Sequence, residues 1–181
     1  MDEDKIITID EKIAIKELEE KIEGMKKDKR AKCKAAKEQL IEQLRVTVDK
    51  YRTATGTAEA LRVLGFVLGD VNFPRAISIA NGIAYNMAEV ANEMMHEAEK
   101  LPYNDMDKLC DGFYDPEFII DEEYANIDNA INLATEMMRI DLCRNVGGAA
   151  EDMVQFIKRV QEEIDATGEE LKKLKAKQKE D

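Results

Sequence analysis

The sequence predicts an all-α fold: a helical bundle head with an antiparallel coiled-coil stalk formed by the N- and C-terminal helices. Three observations predict it. First, 36% of the 181 residues are charged, and only three prolines and nine glycines interrupt the chain. An ordinary domain carries about 25% charge, so this profile favours long solvated helices. Second, both ends carry a narrow apolar seam. In the C-terminal stretch it is Met153, Ile157, Val160, Ile164, Thr167, Leu171 and Leu174, stepping by four and three as heptads do. Ile15, Leu18, Ile22 and Met25 repeat that spacing near the N-terminus. Third, the charges of the two ends are complementary. Residues 10–23 hold six acids and three lysines, whereas 172–179 hold five lysines and no acid. Residues 26–37 hold seven bases and one acid, whereas 162–170 hold five acids and no base. Antiparallel pairing sets acid against base at both levels.

The chain divides accordingly into an N-terminal stalk arm (1–37), an acidic helical head (38–152) and a C-terminal stalk arm (153–181). Residues 5–9 are a short β-branched leader, and Asp10 is a fitting N-cap. The first helix runs to about Thr53. Its seam resumes in the head at Cys33, Ala36, Leu40, Leu44, Val48 and Tyr51, with Ile41 and Val46 as apolar company. The stretch Thr53 to Thr57, which contains Gly56, breaks it. Thr57 then caps a short apolar helix containing Leu61, Leu64, Phe66, Val67 and Leu68, in which Gly65 and Gly69 suggest close backbone packing. Pro74 sits in the first turn of the next helix. The seam there is Ile77, Ala80, Ala84, Met87, Ala91, Met94, Ala98 and Leu101, and Pro102 ends it. A short helix is expected over 104–111, with Gly112 as its stop. Asp115-Pro116-Glu117 restarts a helix whose seam runs from Ile120 and Tyr124 to Met138 and which ends near Asn145. Gly147-Gly148 is expected to hinge into the last helix. The pentapeptides Ala91–Met95 and Ala134–Met138 echo one another faintly.

The net charge of −12 is concentrated in the head, where nine bases face twenty-two acids, while both arms are nearly balanced. Such a field repels phosphates, so nucleic acid is not an expected partner and a basic protein surface is. The run Lys26 to Lys37 would mark a nucleic-acid contact in isolation; here it is read as answering the acids of 162–170. No stretch is apolar for the roughly 18 residues a span requires, so no membrane contact is expected. Met1-Asp2-Glu3-Asp4 is unlike a signal peptide, and three widely spaced cysteines read as reduced thiols. A cytoplasmic setting, in a host cell or a bacterium, is the expectation.

Candidate chemistry is sparse. Glu93-Met-Met-His96 has the Glu-x-x-His spacing of di-iron bundles. The chain has one histidine, however, and the echo places Arg139 where a second would stand. Glu93, His96 and Glu97 are therefore an alternative metal set, no metal or other cofactor being the favoured reading. No nucleophile signature or phosphate-binding glycine loop is present. Residues 102–118 gather Tyr103, Phe113, Tyr114 and Phe118 among Asp105, Asp107, Asp111 and Asp115. Tyr103, Asp105, Asp107, Phe113 and Tyr114 are the candidate partner-binding residues. Plugging the end of the bundle is the competing reading for these rings. The methionines at 87, 94, 95, 137, 138 and 153 are read as core. The sequence thus points to a non-enzymatic interaction or scaffolding protein, with self-association a further expectation. The alternatives are an acidic inhibitor mimicking nucleic acid and a metal-binding bundle.

Overall fold

The structure, a computed structural model, describes residues 9–68, 73–113 and 127–180. Among them are four α-helices: α1 (Ile9–Tyr51), α2 (Ala54–Leu68), α3 (Phe73–Lys100) and α4 (Ile127–Glu180). A 3-10 helix, Tyr103–Lys108, follows α3. The fold is all-α. The leader before Ile9, the linker around Gly69, and the expected restart at Asp115-Pro116-Glu117, with Tyr114, Phe118, Ile120 and Tyr124, lie outside the described residues.

The stripe read on α1 becomes the spine of the head. Cys33, Leu40, Leu44, Val48 and Tyr51 are all buried, whereas Val46, on the opposite face, is 59% exposed. Two core clusters lie along this stripe. One gathers Leu40 and Leu44 with Met94, Ala98, Met106, Leu109, Cys143, Val146 and Met153. The other gathers Tyr51 with Ala60, Leu64, Ile83, Met87, Ala134 and Met138. Leu142 packs against both. Along α1 the first cluster precedes the second; along both α3 and α4 the second precedes the first. Hence α1 runs antiparallel to α3 and α4, while α2 covers the cluster at Tyr51 and the 3-10 helix covers the other. The alanines of α3 (Ala76, Ala80, Ala84, Ala88, Ala91 and Ala98) are at most 2% exposed and let neighbouring helices approach closely. Four of the six methionines named above are buried.

The turn between α1 and α2 is tight. Arg52 N–H donates to Val48 O at 3.0 Å, and Thr53 Oγ1 donates to Lys50 O at 2.8 Å, so two of the last four carbonyls of α1 are satisfied here. Gly56 then presses on α1. A Cβ there would stand 2.7 Å from Lys50 O, and only glycine fits.

Several sequence expectations are corrected. Thr57 does not cap α2, which already begins at Ala54; its hydroxyl instead donates to Asn81 Oδ1 of α3 at 2.7 Å. Gly65 allows no close approach, since a Cβ there would meet nothing within 4 Å. Ile77 is 37% exposed, and Ala76 and Ile83 take up the buried face. The helix expected over 104–111 is a 3-10 helix over 103–108, followed by turns to Phe113. The echo fails in burial: Met94 is 0% exposed but its counterpart Met137 is 37% exposed. Most consequentially, Gly147-Gly148 forms no hinge, because α4 continues through it for 54 residues. Each glycine costs about 1 kcal/mol against alanine in a helix. Cys143, Val146, Ala150 and Met153, buried at three- and four-residue steps around the pair, outweigh that cost.

Beyond the head, α1 and α4 run on side by side. Lys175 Nζ meets Glu19 at 2.5 Å, Lys29 donates to Gln161 at 2.8 Å, and Lys32 lies 5.6 Å from the Phe156 ring centre. Partners rising along one helix and falling along the other define an antiparallel pair. Ile164 and Thr167 are buried in its seam, and Thr167 satisfies its hydroxyl on Glu163 O. Of the two expected charge matches, the outer one contains an observed ion pair. The inner one does not: among the described residues no base of 26–37 pairs with an acid of 162–170. Both helices pass the 37/38 and 152/153 boundaries without a break.

Two glycine substitutions test this backbone in opposite directions. Gly148→Ala, with open space around its Cβ, should raise stability by about 0.5–1 kcal/mol. Gly56→Ala should lower it by about 1–3 kcal/mol. Urea denaturation measures both, and a loss of stability in Gly148→Ala would contradict a continuous α4.

Candidate interaction surface

The end of α3 is held by a lysine from α1. Lys37 Nζ donates to Glu99 O at 3.0 Å and to Leu101 O at 2.6 Å, placing a cation where the helix dipole is negative. Pro102, at φ −58° and ψ 149°, turns the chain into the 3-10 helix. Met106 and Leu109, 0% and 2% exposed, anchor this segment in the core. The anchored turn and the last turns of α3 enclose an open groove of about 530 Å³. Leu101, Leu109 and Phe113 supply its apolar lining, and Glu93, His96, Glu97, Lys100 and Lys108 its polar one.

The groove unites residues that the sequence offered as two separate candidates. Glu93 and His96 are exposed on it, Glu97 is half-exposed, and Phe113 lines it. Its polar groups are largely engaged locally. His96 Nδ1 lies 3.3 Å from Glu99, and Glu97 accepts from Lys100 at 2.7 Å. Among the described residues, no group of three or more His, Cys, Asp or Glu side chains is disposed to hold a metal ion. Tyr103, Asp105 and Asp107 do not line the groove. Tyr103 packs half-buried on the core, Asp105 lies 3.6 Å from Lys108, and Asp107 is exposed. Tyr114 lies outside the described residues. Phe113, like Tyr103, also packs half-buried on the core.

A second concavity, about 460 Å³, lies between α1, α2 and α4 and was not legible in the sequence. Tyr51 borders it, its phenol pushed up by burial and by the charges of Glu59 and Asp141. Its charged groups hold one another: Arg62 donates to Glu59 at 2.8 Å, which keeps the Glu59 carboxyl below the usual range. Among the described residues no helix is long and apolar enough to cross a membrane. No family model, curated protein or solved structure matches this chain.

Lys37→Met keeps the stem of the side chain but removes both donations to the α3 terminus. It should cost about 1–2 kcal/mol, read from the urea midpoint. Phe113→Ala, truncating a half-buried ring, should cost about 1.5–3 kcal/mol, whereas Asp107→Ala should stay within about 0.5 kcal/mol. A neutral Phe113→Ala would remove the packing role assigned to this ring.

Proposed function

We propose that the protein is a non-enzymatic interaction or scaffolding protein, in which the paired ends of α1 and α4 form an assembly arm. The single observation that carries this reading is how little the arm contributes to the core. On α1 no described residue before Cys33 is fully buried; Ile15, Leu18, Ile22 and Met25 are only half-buried, and Ile13 is 50% exposed. On α4, Val160, Leu171 and Leu174 are likewise half-buried. Ordering backbone costs about 1–2 kcal/mol per residue. A seam this open returns less than it would with further helices laid over it. A second copy of the chain is the simplest source of such helices. The head, which holds the charge excess, is suited to a partner with a basic surface.

Size-exclusion chromatography with light scattering, joined to small-angle scattering, tests the reading on the full chain and on a version lacking residues 168–181. A defined dimer or larger assembly lost on truncation is the expected result. A monomer in both cases, differing only in length, would remove self-association and leave the head as the contact surface.

A further inference from the structure

Cys110 and Cys143 are 33 residues apart in the chain, one in the turn after the 3-10 helix and the other on α4. The fold brings them together. Cys110 Sγ lies 3.4 Å from the carbonyl oxygen of Cys143, and Cys143 Sγ lies 3.4 Å from that of Phe113. Each thiol thus reaches the backbone of the other's segment, Cys110 to α4 and Cys143 to the end of the turn. Gly147 of α4 also faces Cys110: a Cβ there would stand 3.8 Å from Cys110 Sγ, an ordinary packing distance. Cys143 is 3% exposed, whereas Cys110 is half-buried and so partly open to solvent. Cys33, on α1, is fully buried.

We infer that Cys110 and Cys143 are a modification site: a dithiol that peroxides convert reversibly to an intramolecular disulfide, stapling the 109–113 turn to α4. This revises the sequence reading of all three cysteines as simply reduced thiols, and it is independent of the assembly role proposed above. The environments of the two sulfurs divide the labour. The neighbouring Cys110 side chain holds the Cys143 thiol below the ordinary range, burial opposes this, and Arg139 assists it. The neighbouring Cys143 side chain in turn raises the Cys110 thiol, and burial raises it further. Cys143 is thus the sulfur that ionises first and attacks. Its thiolate attacks one peroxide oxygen, the O–O bond breaks, and a sulfenic acid and hydroxide form. Cys110 sulfur then attacks the Cys143 sulfur, the S–O bond breaks, and the hydroxyl leaves with a proton as water. Two thiols and one hydrogen peroxide yield one disulfide and two waters.

The full chain is treated with hydrogen peroxide, denatured, alkylated, and digested for mass spectrometry. Alkylatable thiols should fall from three to one, with Cys33 the survivor. A peptide cross-linked through Cys110 and Cys143 should appear, and dithiothreitol should restore all three thiols. Cys110→Ser, at the half-exposed position, should give no such peptide while keeping the helical circular dichroism spectrum. Retention of three alkylatable thiols, cross-links only between chains, or irreversible oxidation at Cys143 without a cross-link would overturn the inference.

Discussion

One helical face supports the whole molecule: the stripe of α1 from Cys33 to Tyr51. It touches both core clusters, so α2, α3, the 3-10 helix and α4 all take their positions from it. Burying a side chain such as Leu44, 1% exposed, contributes about 1.5–3 kcal/mol, far more than the exposed ion pairs on the same helix. The same stripe explains why the arm exists. Because α1 continues for more than twenty residues before Cys33, its open seam needs cover, and α4 supplies part of it.

The long periodic elements were legible because their apolar spacing is repeated often enough to outvote local exceptions. The α1 stripe, the alanine face of α3 and the seam of α4 all sit where spacing places them. Reading failed where a local preference met a tertiary force. Gly147-Gly148 is a poor helix segment taken alone, yet the buried positions on either side carry α4 through it. Gly56, read as part of a break, is needed for its contact with Lys50 O. The charge blocks were overread because net charge over a dozen residues ignores direction. Lys37 belongs to the basic block in sequence but serves the end of α3 in space.

The candidate surface was legible only in pieces. Glu93 and His96 are exposed because neither position belongs to the apolar seam of α3. Nothing in their spacing showed that Phe113 would face them across a groove, because 102–113 has no regular period. The closeness of Cys110 and Cys143 is similarly invisible in sequence. It depends on Met106 and Leu109 pinning the turn against the core.

The continuity of α4 has a mechanical side. About thirty residues separate Ala150 from the end of the helix, a span of roughly 45 Å at 1.5 Å per residue. A tilt of about 10° at the head would carry the far end roughly 8 Å, because a helix without a flexible joint transmits rotation as a lever does. With two glycines acting as a joint, that displacement would be absorbed within a single turn. Built as one rod, α4 couples the arm tip to the segment of the same helix that carries Cys143, so a load applied at one is felt at the other.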